Sequence, residues 1–124
     1  MQRIIKFRGL NPNGRWHYGN LSIGKETFII SYTDGFNYPY TSYSVIPETV
    51  GQFTGLRDKN GVEIYEGDVC RVNQERNYEV IWSGIGFWFK DIEDEREFVF
   101  TPPTYWIEVI GNIHQNPELL EAPE

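Results

Sequence analysis

Residues 52–69 constrain the fold of this chain more than any other stretch, because they place two sharp reversals between strand-like segments. The first reversal runs from Asp58 to Gly61, and its Asn60-Gly61 pair is typical of a tight β-hairpin turn, since both residues tolerate positive φ. The second is the Glu-Gly-Asp sequence at residues 66–68, after which residues 69–72 are predicted to form the next strand. The stretch predicts antiparallel β structure and contains no pattern typical of a reaction site.

The rest of the chain also predicts short strands. Aromatic residues make up 16% of the sequence, and their flat, wide side chains favour strands over helices. Twelve Gly and seven Pro interrupt the sequence, and no window sustains the apolar periodicity of a helix over three turns. The predicted strands are residues 3–8, 15–21, 27–32, 45–50, 78–82, 87–90, 98–100 and 105–112.

These strands predict an all-β (mainly β) fold. Together with the strand at residues 69–72, five short strands follow residue 62 at a spacing of roughly ten residues, which favours a small, partly open SH3-like barrel. An N-terminal β-hairpin or sheet extension precedes the barrel. Asn116 and Pro117 predict a short C-terminal helical turn, with Asn as its cap and Pro at its first position. We expect a single domain over residues 1–124, with two sublobes at residues 1–50 and 51–120.

Residues 52–69 also resemble the signature of the YopX family of phage and prophage proteins. Residues 5–8 are similar to the opening strand of that family, and residues 109–120 are similar to its closing segment. The resemblance implies a small, mostly β, YopX-like protein of bacteriophage or prophage origin, whose biochemical role is not established, and it implies no catalytic residues. The family-motif positions, which we interpret as structural, are Gly55, Asp58, Asn60, Gly61, Tyr65, Glu66, Gly67 and Asp68.

Charge is distributed unevenly along the chain, whose net charge is −7. Residues 1–50 hold five Lys and Arg against three Asp and Glu, whereas residues 51–124 hold six against fifteen. Because phosphate backbones are bound chiefly by neutralising their charge, this balance disfavours nucleic acid and restricts it to the N-terminal part. No apolar run approaches membrane-spanning length and no signal-peptide core follows Met1, so we expect a protein of the bacterial host cytoplasm with no membrane partner.

Cysteine and histidine give little indication of catalysis. Cys70 is the single cysteine, so it forms no internal disulfide, which fits a reducing cytoplasm. His17, His114 and Cys70 are far apart in sequence, and we expect no metal and no cofactor. A nucleophile built from Cys70 and His114 is conceivable, but the position of Cys70 between Val69 and Val72 favours a buried structural thiol.

Three carboxylates are the remaining candidates for catalysis. Glu63, Glu66 and Asp68 are close in sequence, and paired acids can transfer protons or bind a divalent cation. The alternative is structural, because Gly67 suits the strained torsion of a reversal and Asp68 can accept bonds from nearby backbone amides. We favour the structural interpretation and do not expect an enzyme.

The N-terminal hairpin is a candidate binding surface. It brings together basic and aromatic side chains that suit phosphate or carboxylate groups, although an ordinary solvated hairpin edge has the same composition. The candidate residues are Lys6, Arg8, Arg15 and Trp16 beside His17, and a nucleic-acid interface would add Arg3 and the stacking ring of Tyr18.

Tyrosines mark a second candidate surface. Residues 33–44 are rich in Tyr, Gly, Asn and Pro and predict a long loop or a loose hairpin, which carries Tyr38, Tyr40 and Tyr43. Exposed tyrosines are effective contact residues, but the same side chains can instead fold back over a thin core. The predicted strand at residues 45–50 would lie at an edge, since Pro47 cannot donate to a ladder.

The function that needs no feature absent from the sequence is a phage- or prophage-encoded, non-enzymatic interaction module. It would bind an unknown protein partner, or itself, through aromatic loops and exposed strand edges. The alternative is a small nucleic-acid-binding barrel that uses the basic and aromatic N-terminal hairpin.

Overall fold

The structure, a computed structural model, describes residues 4–32, 39–94 and 99–121. Within these residues the chain is mainly β, with eleven strands, three short 3₁₀ turns and two antiparallel sheets. The all-β class is therefore confirmed. The chain divides into two compact units, residues 1–53 and 54–124.

The first unit is built on one antiparallel sheet with the strand order β4-β3-β2-β1-β5. Its inner strand β1 pairs on one side with β2 and on the other with the first residues of β5. The strands are β1 (Phe7–Leu10), β2 (Trp16–Ile23), β3 (Thr27–Tyr32), β4 (Tyr40–Ser44) and β5 (Gly51–Arg57).

Local chemistry explains two features of this sheet. At the β1–β2 turn, the side-chain oxygen of Asn11 accepts the backbone N–H groups of Asn13 and Arg15, at 2.9 and 3.0 Å, and holds the reversal. Farther along β2, a Cβ at Gly19 would overlap the backbone carbonyl of Ile30. Only glycine therefore allows β3 to approach β2 this closely.

Residues 40–50 agree with the sequence prediction only in part. Of the loop and the loose hairpin predicted for residues 33–44, the hairpin is observed in the described residues, because the Tyr, Thr and Ser residues of β4 pair along β3. The expected edge strand at residues 45–50 is instead a 3₁₀ turn, Pro47–Thr49. The Thr49 hydroxyl stabilises this turn, since it donates to the Ile46 carbonyl at 2.6 Å and accepts the Leu10 N–H at 2.9 Å.

The second unit contains the end of β5, its neighbour β6 and a five-stranded sheet with the order β10-β9-β8-β7-β11. Its core consists of side chains that are at most 1% exposed: Ile64, Cys70, Val80, Phe89 and Ile107. The strands are β6 (Glu63–Tyr65), β7 (Asp68–Val72), β8 (Arg76–Ser83), β9 (Gly86–Asp91), β10 (Val99–Phe100) and β11 (Ile107–Asn112), and the 3₁₀ turns are Thr104–Trp106 and Pro117–Leu120.

The described strands form no closed barrel, and the SH3-like detail of the prediction is not confirmed. The outer side of β11, which a closing strand would need, is occupied by the turn between β5 and β6. Lys59 N–H donates to the Ile107 carbonyl at 3.0 Å, and the Asp58 carboxylate accepts the Val109 N–H at 2.9 Å. These two bonds satisfy backbone groups of β11 without a further strand.

The C-terminal helical turn is present as a 3₁₀ turn, but its predicted cap is different. The side chain of Asn116 makes no cap bond to the turn and instead accepts the Asn112 N–H at 3.1 Å. A Cβ at Gly111 would lie 2.6 Å from that same Asn116 oxygen. The side chain therefore packs back on β11, where the absence of a side chain at Gly111 makes room for it.

The Asp58 carboxylate is the main polar anchor of the second unit. It is 7% exposed, and its Oδ1 accepts the N–H groups of Asn60 and Val62 at 2.8 and 2.9 Å, while Oδ2 accepts that of Val109. Gly61 supplies the positive φ of the turn, 82°. One ionised group thus shapes the hairpin and attaches it to β11.

We predict that Asp58→Asn lowers the free energy of unfolding by roughly 2 to 3 kcal/mol, because an NH₂ group then faces at least one of the backbone N–H donors. Urea unfolding measures the change. Glu75→Gln is the matched control, since it makes the same charge change on an exposed side chain and should stay close to wild type. Equal stability of the two variants would contradict the anchoring role of Asp58.

The β7–β8 turn contains strain that a substitution can relieve. Asn73 and Gln74 have φ values of 54° and 59°, and the Glu75 N–H closes the turn on the Val72 carbonyl at 3.1 Å. Glutamine, unlike asparagine, rarely adopts positive φ.

We predict that Gln74→Gly raises the free energy of unfolding by roughly 0.5 to 1 kcal/mol, since glycine removes the steric cost at the price of some chain entropy. Gln74→Ala is the control, because alanine keeps the Cβ and gains nothing. A thermal or urea unfolding series that ranks alanine with glycine would refute the explanation by strain.

Candidate interaction surface

The outer strand of the first sheet is the most distinctive surface of the first unit. Within the described part of the chain, β4 pairs with β3 from Phe28↔Ser44 to Tyr32↔Tyr40, and no strand pairs with its other side. Four of its five residues are exposed, and none is charged. Proteins usually protect an edge strand with charge, proline or a bulge, and β4 has none of these between its ends. We refer to this outer side of Tyr40–Ser44 as the β4 edge.

The pairing with β3 determines which backbone groups point outward. The Val45 N–H donates to the Thr27 carbonyl at 3.0 Å, and this pair belongs to the same register as the rest of β4. In an antiparallel ladder alternate pairs exchange hydrogen bonds, so Thr41 and Tyr43 direct their backbone groups toward β3. The N–H and C=O groups at the β4 edge therefore belong to Tyr40, Ser42 and Ser44.

The candidate tyrosines are placed differently from one another. The Tyr43 ring stacks on the His17 imidazole, with centroids 3.7 Å apart and planes 10° apart, so it covers part of the sheet. Tyr40 meets the Tyr32 ring edge-on at 6.1 Å but remains 57% exposed. Tyr38 lies outside the described residues. Of the two alternatives for these side chains, Tyr43 follows the covering one and Tyr40 remains available for contact.

The described basic residues of the first unit are placed differently from one another. Arg8 is only 5% exposed, and its guanidinium lies 4.1 Å from the centre of the Trp16 ring. Lys6 places its ammonium 5.4 Å from the centre of the Phe53 ring, Arg15 is exposed in the β1–β2 turn, and Arg3 lies outside the described residues.

Arg8 is buried because β1 is flanked by β2 and β5. The sequence predicted the β1–β2 hairpin but not the second neighbour, so it suggested a surface position. A buried guanidinium packed on an indole ring is not positioned to bind a phosphate backbone.

His17 connects β2 to its surroundings through two contacts. Besides its stacking on Tyr43, its Nε2 lies 3.1 Å from Nδ2 of Asn11, which donates to the neutral ring. Burial lowers the pKa of His17 from 6.5, and the positive charge of Arg15 lowers it further. The neutral imidazole is therefore the form that the fold favours.

We predict that neutral His17 contributes to the stability of the fold and that this contribution is complete above pH 6.5, the unperturbed pKa. It is lost as the pH falls below that value, since the unfolded chain then binds the proton more readily than the folded chain. Wild type should lose more stability than His17→Gln between about pH 7.5 and about pH 5.5. Urea unfolding at both pH values gives the comparison, and carboxylate titration cancels between the two proteins. Parallel losses would rule out the contribution.

The candidate carboxylates of the second unit take part in local contacts. Glu63 accepts the Tyr65 hydroxyl at 3.0 Å and lies 3.5 Å from the Arg57 guanidinium. Asp68 is 2% exposed and accepts the Tyr65 N–H at 2.7 Å, while Glu66 is half-buried in the same reversal. These contacts give Glu63 and Asp68 a structural role, and the described residues contain no group of three or more His, Cys, Asp and Glu arranged for a metal ion.

The other family-motif residues shape the backbone. Gly55 and Gly67 have φ values of 88° and 94°, which glycine adopts without strain, and Tyr65 is 2% exposed. Cys70 is fully buried. A thiol in such a position is not accessible to a substrate.

Two surface hollows of about 320 and 310 Å³ lie on the second unit. The larger is lined by Arg71 and four glutamates, and the smaller by Glu79 with Lys90. Burial raises the pKa of Glu79, and Lys90 partly offsets that increase. Both hollows are open and rich in acid groups, and neither suits a nucleic acid.

The hairpin tip between β8 and β9 was not identified from the sequence as a possible contact surface. Ile85 is 95% exposed, and Trp82, 49% exposed, meets Phe87 edge-on at 4.9 Å. Residues 81–88 contain no charged side chain, and this run was the available signal. The tip is a small apolar surface on an otherwise acidic part of the chain.

Comparison with known proteins identifies the family. The model of the YopX protein family matches residues 6–121. The chain belongs to the YopX family. The resemblance seen in residues 52–69 and at both ends is thereby confirmed.

The crystal structure of protein EF1440 from Enterococcus faecalis is similar to this YopX-family chain, with a TM-score of 0.61 and 26% sequence identity. The alignment covers 97% of this chain and 100% of EF1440. No curated protein sequence matches. The role of the family is not established, and EF1440 is uncharacterised. A fold shared with such proteins does not identify a function, which depends on the surface residues of this chain.

No helix in the part of the chain that the structure describes is both long enough and apolar enough to cross a membrane.

Proposed function

We propose that this YopX-family chain is a phage- or prophage-encoded, non-enzymatic interaction module that binds another protein chain by strand addition at the β4 edge. The observation that carries the proposal is an exposed, uncharged edge strand with three residues directing backbone hydrogen-bonding groups outward. In strand addition the main chain supplies affinity, and side chains that alternate along the strand supply specificity. Its place of action would be the bacterial host cytoplasm.

The side chains at the β4 edge support this proposal. Tyr40 offers a large exposed ring with a hydroxyl group, and its approach to Tyr32 restricts the ring. Tyr43 is stacked on His17, so the strand carries one fixed and one available aromatic group. Aromatic side chains that lose little rotamer entropy on binding are effective contact residues.

Nucleic-acid binding by the N-terminal hairpin is the second candidate. The exposed cation Arg15 and the half-exposed ring of Tyr18 favour it. The buried guanidinium of Arg8 and the net charge of −7 count against it, because affinity for a phosphate backbone depends on accessible positive charge. We therefore place it behind protein binding.

A labelled peptide tests strand addition directly. The probe is a ten-residue extended peptide of alternating Thr and Val with a terminal lysine for solubility, and fluorescence anisotropy reports its binding. Ser42→Pro removes an outward N–H but no bond to β3, since Ser42 faces Ile30 in a pair that exchanges no hydrogen bonds. We predict that wild type and Ser42→Ala, diluted until the chain is monomeric, bind the peptide alike and that Ser42→Pro binds it at least tenfold more weakly.

Circular dichroism and urea unfolding confirm that the variants are folded. A random single-stranded DNA, labelled in the same way, is the comparison probe at low and high salt. Equal affinity of the peptide for wild type and Ser42→Pro would refute strand addition at this edge. DNA binding that weakens as salt rises, without peptide binding, would favour the nucleic-acid alternative.

A further inference from the structure

We infer that the strand added at the β4 edge is the β4 strand of a second copy of this chain, so that two copies pair antiparallel about a two-fold axis at Ser42. The inference rests on the proposed function, because it names the partner of the same edge. Its basis is the geometry of Tyr40–Ser44 and the charge of the first unit.

The outward backbone groups select the register. They belong to Tyr40, Ser42 and Ser44, and in an antiparallel pair of identical strands each must meet another outward residue. A two-fold axis at Ser42 sets the two Ser42 residues opposite each other and sets Tyr40 opposite Ser44 twice. All three outward residues of both copies then exchange hydrogen bonds. Any other symmetric register leaves at least one of them without a partner in the other strand.

The side chains are compatible with this register. Tyr40 would lie opposite Ser44 on one face, and Thr41 opposite Tyr43 on the other, so each tyrosine meets a small or β-branched neighbour and no two large rings compete for space. Pairs of aromatic and β-branched residues opposite each other stabilise antiparallel strands.

Charge does not oppose the pairing. Tyr40–Ser44 contains no ionisable side chain other than its tyrosines, so no like charges meet at the axis. The first unit holds five Lys and Arg against three Asp and Glu, which is close to neutral, whereas the acidic residues are concentrated in the second unit. Two copies can therefore approach through β4 with little electrostatic repulsion between their first units.

Two-fold pairing also explains why Tyr40–Ser44 contains no charge, proline or bulge that would prevent strand addition. An unprotected edge strand that stays exposed promotes open-ended association between chains. A two-fold interface uses the same surface on both copies, so pairing covers both β4 edges and leaves neither free to add a third chain. The pair would join the β4-ended sheets of the two copies through their outer strands.

A cysteine scan along β4 tests the register. In the inferred pair the two residues at position 42 have Cα atoms about 5.5 Å apart, which lies within disulfide range. Ser42→Cys should form a disulfide-linked dimer under a mild oxidant, seen on a non-reducing gel. Ser44→Cys should not, because it lies opposite Tyr40. Ser22→Cys, at an exposed position of β2, controls for random collision, and buried Cys70 does not compete.

Light scattering after size-exclusion chromatography tests the pairing itself. Wild type and Ser42→Ala should have the mass of two copies, and Ser42→Pro that of one. Ser42→Lys should also dissociate, because the axis places the two new ammonium groups opposite each other.

The outcomes separate the inference from the proposed function. A wild-type monomer with no crosslink at position 42 overturns the inference. The proposed function still stands in that case if the Thr-Val peptide binds wild type and binds Ser42→Pro more weakly. A dimer that persists in Ser42→Pro, or that crosslinks through Ser44→Cys or Ser22→Cys but not through Ser42→Cys, also overturns it. Failure of both peptide binding and dimer formation removes the proposed function as well.

Discussion

The carboxylate of Asp58 supplies the interaction on which the second unit depends. It accepts three backbone N–H groups from within a buried position, and it joins the β5–β6 turn to β11. The cost of burying an ionised group is offset only when its oxygens are satisfied, and here backbone donors satisfy both of them. The position of Asp58 in the most recognisable segment of the sequence is thus explained by folding.

In the first unit the corresponding constraint is that the sheet ends at β4, whose outer backbone groups have no neighbouring strand among the described residues. Each strand from β1 to β3 has a neighbour on both sides, and within the described residues β4 has one only on its inner side. Backbone groups that leave a sheet without a partner bind either water or another chain. The absence of charge on β4 favours another chain, and for this reason the proposed function is placed at this strand.

Much of the architecture could be predicted from local chemistry. The Asn-Gly turn predicted the β5–β6 hairpin, an N-terminal hairpin was predicted and is observed as β1 and β2, and the predicted strand at residues 27–32 is observed as Thr27–Tyr32. These elements depend on torsion preferences and on periodicity, which neighbouring residues carry. The hairpin of β3 and β4 was only one of two alternatives, because a run rich in Tyr and Ser resembles a loop until β3 lies beside it, and the edge position of β4 was not predicted. Arg8 was predicted to lie on the surface for the same reason. Its burial depends on β5, whose Gly51 pairs with Arg8 from 43 residues away in the chain.

The sequence by itself determined the all-β class, the main turns and the family, because each depends on short segments whose torsion preferences or residue pattern are complete in themselves. Only the tertiary structure decided which strand forms the outer edge, which arginine is buried and how the Asp58 turn covers β11. These features depend on contacts between residues far apart in the chain. Such contacts decide which groups remain exposed to a partner, and they cannot be predicted from the local sequence alone.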